Sequence, residues 1–225
     1  MGRPVCEEDT PAPVEIYGQS KWEGEKILAA YSGRINAVSI RCPTIVDEGR
    51  LGLLAILFEF IEEGRKVWVV GGGRNRYQFV YGQDLVSARI AAAELPGSEI
   101  FNIGSDDVTP FRDVYGHVIE KAGTGARVAS LPKMPAFVAM RIAHRLGLSP
   151  LGPYPVSDDR RGLRLRHLKD QKGFAVAPYS FDAEMLWLAY KHFQNNRKNI
   201  AARRDVSAHR QAAKMGVIRL LKWAS

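Results

Sequence analysis

From Tyr17 to Leu131 the chain alternates two kinds of apolar pattern, and that alternation is its strongest constraint on fold. Short β-branched runs read as strands: INAVSIRCPTIV, with Pro43 marking its end, then KVWVV, RYQFVY, EIFNIGS and RVASLP. Between them lie segments with helical character. WEGEKILAAYSG continues from YGQSK and closes on Gly33 as its C′ residue, and LGLLAILFEFIEEG is ended by Gly64. QDLVSARIAAAE stops at Pro96. PFRDVYGHVIEKAG has Thr109 as N-cap and Pro110 at its first helical position, and PAFVAMRIAHRLG follows. Strands alternating with helices of this length predict an α/β fold with parallel strands. From Ser149 the pattern weakens. SPLGPYPVSDDRRG reads as loop and a short polar helix, KGFAVAPYSFD as extended, and AEMLWLAYKHF as a helix.

Length and charge then limit the function classes. The 225 residues suffice for a buried core. The chain holds no apolar run long enough to span a bilayer, and MGRPVCEEDTPAP lacks the apolar core of a signal peptide. Cys6 and Cys42 form no metal or redox spacing, which fits unpaired thiols in a reducing cytoplasm. The formal net charge is +8, but eight cations between Arg197 and Ser225 face Asp205 alone. The body is therefore nearly neutral. The basic tail reads first as a solvated helix, then as a packing helix. Nucleic acid or a membrane surface is the least favoured reading, because no aromatic interleaving supports base stacking.

One short stretch carries chemistry. In YGQSKWEGE, Tyr17 and Lys21 stand four residues apart at a helix start, so both side chains share a face. A lysine ammonium favours the phenolate, and a tuned tyrosine can take a hydroxyl proton while a hydride leaves to a nicotinamide. Bare Y-x-x-x-K recurs by chance, and its bland reading is a surface pair. No other motif competes. G-x-x-x-x-G-K-[ST] is absent, GQSKW has Trp22 where a nucleophile elbow needs glycine, and Pro132 spoils the helix that S-x-x-K would need in SLPK. His117, His144, His167, His192 and His209 show no ligand spacing, so no metal site is expected.

The longer run EEDTPAPVEIYGQSKWEGE resembles the extended short-chain dehydrogenase/reductases, the NAD-dependent epimerase/dehydratases of nucleotide sugars. That family carries acidic residues and prolines, here Glu7, Glu8, Asp9, Pro11 and Pro13, before Y-G-x-S-K-x-x-x-E. IRCPTIVDEGR, GGGRNRYQFVYGQDLVSARIAAA and SEIFNIGSDDVTPFRDVYGHVIEKAG continue the resemblance in order, well to Gly123 and loosely to Phe193. It implies that Tyr17 is the general acid/base and that Lys21 binds the cofactor ribose. Cys42, Pro43, Thr44 and Ile45 would line the nicotinamide pocket. Arg76 or Gln78 would face the substrate, although the spacing from Arg76 to Asp84 is one residue long for some relatives.

The same resemblance implies a Gly-rich strand–turn–helix, G-x-x-G-x-x-G, whose backbone approaches the pyrophosphate. It also implies a substrate-binding Ser or Thr well before the tyrosine. Neither occurs in this chain: GGGRNR runs into a strand, AGTGARV leaves a helix, and Thr10 stands too close. The expected architecture is thus an incomplete Rossmann-like parallel sheet (residues 1–108), a small α/β substrate-binding subdomain (109–196) and a basic helical tail (197–225). A misplaced start, a split gene and a real truncation all fit. The expected activity is that of an NAD(P)-dependent oxidoreductase on a nucleotide sugar or related substrate, inactive as this chain alone. A homodimer or a complementing N-terminal half would be its partners, with NAD or NADP held only weakly without that half. The competing class is a non-catalytic scaffold that reuses the substrate half and docks through its tail. One edge, beside Asn36 to Arg41 or the Tyr–Lys helix, should expose apolar surface.

Overall fold

The computed structural model describes residues 5–13, 16–47, 51, 54–106, 108–145 and 182–203. The loop and short polar helix read in SPLGPYPVSDDRRG, the extended reading of residues 172–181 and the tail beyond residue 203 lie outside them. Among the described residues, six α-helices and six strands follow the order that the apolar pattern predicts: α1 (Ile16–Ala30), β1 (Val38–Arg41), β2 (Thr44–Val46), α2 (Leu54–Glu62), β3 (Lys66–Val70), β4 (Phe79–Tyr81), α3 (Gly82–Ala93), β5 (Glu99–Asn102), α4 (Phe111–Ala122), β6 (Arg127–Leu131), α5 (Lys133–Arg145) and α6 (Asp182–Arg203). Every described pairing of these strands is parallel: β1 with β5, β2 with β4, and β3 with β6. The sheet is small and incomplete. β1 has β5 on one edge and no described strand on the other.

Several boundaries follow from local chemistry. Gly64 and Gly123 follow α2 and α4 with φ of +65° and +63°, the left-handed cap that glycine adopts without strain. Gly64 also lies too close to the Thr124 carbonyl oxygen for any side chain, 2.8 Å from where a Cβ would sit. Gly33 behaves otherwise. α1 ends at Ala30 and tightens through i→i+3 bonds, Tyr31 N–H to Leu28 O and Ser32 N–H to Ala29 O, so Gly33 belongs to the following turn. INAVSIRCPTIV is two strands and not one. The break falls at Cys42–Pro43, and the two pieces pair with different partners. Pro110 is itself the extended N-cap of α4, with Phe111 opening the helix. α6 runs ten residues past the expected Phe193, with non-helical φ/ψ at Asn196.

The main core is built around α2 and α6. Phe58 and Ile61 of α2 are fully buried, as are Met185, Leu186 and Tyr190 of α6. Val114 and Val118 of α4 close the other side. Phe58 meets Tyr190 and Phe193 with ring centroids 5.4 and 5.7 Å apart. The Tyr190 hydroxyl donates to the Glu62 carboxylate, satisfying the polar end of a buried ring. A second cluster joins Val80, Ala88 and Ile103 to Ile40, Ile45 and Leu85, seating α3 on the strands. Apolar side chains stay open beyond this cluster: Ile27 and Leu28 on α1, Ile35 before β1, Val86 and Ile90 on α3. The expected uncovered edge is therefore present.

Candidate active site

Tyr17 lies in the first turn of α1 and is 71% exposed. The Lys21 ammonium sits over its ring, 5.3 Å from the centroid, so the two side chains share a face as the i, i+4 spacing predicts. Ser20 donates its hydroxyl to the Tyr17 carbonyl at 2.8 Å, the back-bond to the preceding turn that a serine makes within a helix. Of the fifteen residues of α1, all described, none is buried. Packing alone does not fix such a helix.

Its anchor is electrostatic. Glu25 falls one further helical turn along the line Tyr17–Lys21 and meets Arg41, the last residue of β1. Arg41 Nε donates to Glu25 Oε1 at 3.0 Å and Nη2 donates to Oε2 at 2.7 Å, a two-pronged pair. Arg41 Nη1 donates to the Glu7 carbonyl at 3.2 Å, and Glu7 Oε1 accepts the Asn102 N–H at 2.8 Å. The Arg41 pKa is pushed further up, first by its hydrogen bond to Glu25 and against partial desolvation. The acidic segment thus closes over the carboxyl ends of β1 and β5. Cys6 and Asp9 form a tight turn within it, the Cys6 N–H donating to Asp9 Oδ2 at 2.8 Å.

The next residues continue from that point. Cys42 is exposed, and the burial it has pushes its thiol up, toward the neutral form. Pro43 is buried, Thr44 exposed and Ile45 half-buried in the second cluster. The Thr44 and Tyr77 hydroxyls lie 2.9 Å apart, and the Tyr77 ring stacks on Phe111 with centroids 6.0 Å apart.

The two substrate-side candidates occupy different environments. Arg76 is exposed, its Nη1 donating to the Val108 carbonyl at 2.6 Å, and its backbone bridges Pro110. Gln78 is 1% exposed, and its Nε2 donates to the Ser105 carbonyl at 2.5 Å. Sequence reasoning gave no role to Arg41 or Asn102, and placed Glu7 and Glu25 only as letters of a pattern. The signal for Glu25 was available, since positions 17, 21 and 25 lie on one helical face.

Parallel strands, interleaved helices and an exposed tyrosine–lysine pair on a helix tied through Glu25 to a strand's carboxyl end make a Rossmann-like α/β arrangement. The model of the NAD dependent epimerase/dehydratase family matches residues 2–104. An uncharacterized protein of Sinorhizobium fredii, y4nG, is 37% identical over 223 residues, taking in 98% of this chain and 56% of that protein. The fold is similar to that of UDP-glucose 4-epimerase from Thermotoga maritima, solved with UDP-glucose, at a TM-score of 0.66 and 22% identity over 88% of this chain and 59% of that one. It is likewise similar to UDP-glucuronic acid 4-epimerase from Bacillus cereus, solved with UDP-glucuronic acid and NAD, at a TM-score of 0.65 and 20% identity over 87% of this chain and 57% of that one. The chain thus spans a little over half the length of each.

Proposed function

We propose that this chain carries the proton-transfer pair and the substrate side of an NAD-dependent oxidoreductase acting on a nucleotide sugar. The observation that carries this reading is the Lys21 ammonium over the exposed Tyr17 ring, on a helix tied to the end of β1. A hydroxyl and an ammonium on one open face suit a ribose and a reacting substrate oxygen. NAD, when bound, exchanges a hydride with the substrate carbon. Tyr17 takes the proton from the substrate hydroxyl as that carbon is oxidised, and returns it on reduction. Lys21 holds the ribose hydroxyls beside Tyr17. Cys42, Pro43, Thr44 and Ile45 form the wall against the nicotinamide, with Pro43 fixing the backbone. Arg76 faces the substrate diphosphate, while Gln78 supports the wall behind it through Ser105.

The same residues fit only one end of the dinucleotide. A pyrophosphate needs backbone N–H groups at a glycine-rich helix start, and the sequence holds no G-x-x-G-x-x-G. A complementing dinucleotide-binding half is therefore part of the proposal, and these 225 residues are inactive by themselves. Cys6 and Cys42 are not joined to each other in a disulfide, which suits the cytoplasm proposed for the reaction.

The test is turnover by the protein purified at its native length from its own source, with NAD and a panel of UDP- and dTDP-sugars read by NMR. Tyr17→Phe in the chromosomal copy should lower conversion by about 10²-fold or more. Conversion unchanged in that variant contradicts the reading. Absence of both turnover and nucleotide-sugar binding in the native protein supports a scaffold instead.

A further inference from the structure

α1 carries the reacting pair yet fully buries no residue, so packing alone sets its direction only loosely and specific contacts decide it. Among the described residues, two ion pairs hold side chains of this helix. Lys26 and Glu23 pair within α1 itself, at 49% and 57% side-chain exposure, and such a pair fixes nothing beyond its own helix. Glu25 and Arg41 pair between α1 and β1, with both side chains only 21% exposed. Two parallel N–H···O bonds fix the plane of the guanidinium and hence the angle of approach. The third nitrogen of Arg41 is used as well, on the Glu7 carbonyl. Arg41 is held in turn from the strand side. It faces Asn102 across the last rung of the β1–β5 ladder, and its carbonyl accepts the Ile103 N–H at 2.9 Å.

We propose that Arg41 is the positioning residue of this site: through its fork with Glu25 it sets the direction of α1, and so the place of Tyr17 and Lys21, against the carboxyl end of β1. The proposal rests on the reading of Tyr17 and Lys21 as the reacting pair and explains how an unburied helix can present them in one geometry. A point charge at position 41 would keep the attraction and lose the angle, so lysine is a poor substitute there.

The test uses spin labels at Gln19→Cys and Glu120→Cys, with Cys6 and Cys42 replaced by Ser, and amide exchange across α1. The wild-type background should give a single narrow distance distribution between α1 and α4. Arg41→Gln and Glu25→Gln should each broaden it and speed exchange in residues 18–28 by about tenfold or more, while α4 exchange stays unchanged. Arg41→Lys should broaden the distribution with a smaller gain in exchange. The exchanged pair, Glu25→Arg with Arg41→Glu, should restore both readouts at least in part. Lys26→Gln, which breaks the pair internal to α1, should change neither. A distribution that stays narrow in both glutamine variants, with α1 exchange unmoved, overturns the proposal. So does faster exchange of α4 in step with α1, which would mean general destabilisation. These measurements need no turnover, so failure here is distinct from failure of the reacting-pair reading, which the Tyr17→Phe assay reports.

Discussion

Arg41 and Asn102 face each other on the last rung of the parallel β1–β5 ladder, and Glu7 holds both, its carbonyl on the Arg41 guanidinium and its carboxylate on the Asn102 N–H. The acidic segment ahead of α1 is thereby fastened to the strand ends beside the proposed site. Glu7→Ala leaves a part-buried backbone donor without its charged acceptor, a loss of about 1–3 kcal/mol. Chemical denaturation should show that loss, and the Asn102 amide should exchange faster. Unchanged stability together with unchanged Asn102 exchange would show that Glu7 does not hold the strand ends.

Two glycines predict opposite signs. Gly24 sits within α1, and a Cβ there would meet nothing within 4 Å. Gly24→Ala should stabilise the chain by roughly 0.5–1 kcal/mol through helix propensity. At Gly104 a Cβ would lie 2.5 Å from the Gln78 side chain, which is buried and bonded to Ser105. Gly104→Ala should cost about 1–3 kcal/mol and displace Gln78. Melting temperatures moving in the same direction for both variants would contradict this placement.

Alkaline pH gives a third handle. Tyr115 stacks on Phe111 with centroids 5.3 Å apart, and desolvation pushes its hydroxyl well above the ordinary 10.0. A raised folded value means the neutral form is the one the fold favours. Its contribution is complete below pH 10.0 and is lost progressively as pH rises above that value. Tyr115→Phe should therefore flatten the fall of stability with pH on the alkaline side. An unchanged alkaline slope in the variant would place the cause elsewhere.

The core predicts where the chain tolerates shortening. Met185, Leu186, Tyr190 and Phe193 fill the main cluster, so removing residues 197–225 leaves every one of them in place. Cooperative unfolding should survive that deletion. Tyr190→Ala removes a fully buried ring that meets Phe58 and Trp187, and should cost about 3–5 kcal/mol. Loss of cooperativity on removing residues 197–225 would show that they contribute to the core.

Element types were legible in the sequence because periodicity is local. Gly64 was legible for the same reason, since a glycine just after an apolar helical run marks a left-handed cap. Gly33 misled because α1 tightened and stopped three residues earlier. Which strand pairs with which was not written locally. β2 joins β4 across α2 and β3, and Pro43 separates it from β1 without saying where it goes. The pair Tyr17–Lys21 could be read from spacing, and its family setting from the order of four segments. The Glu25–Arg41 fork could not be read in full, because one partner lies on a helix and the other sixteen residues on, at the end of a strand. Only the fold brings them together.

On the proposed reading these 225 residues hold the substrate side and the reacting pair, and the pyrophosphate falls to another segment. Two titrations of the same isotope-labelled chain test it, one with UDP-glucose and one with NADH, each followed by amide shifts. The predicted result is saturable UDP-glucose binding that moves resonances around Thr44, Arg76 and Tyr77 and weakens in Arg76→Ala, with NADH weak and unsaturated into the millimolar range. Saturable micromolar NADH binding by the lone chain, with no response to UDP-glucose, would contradict the account.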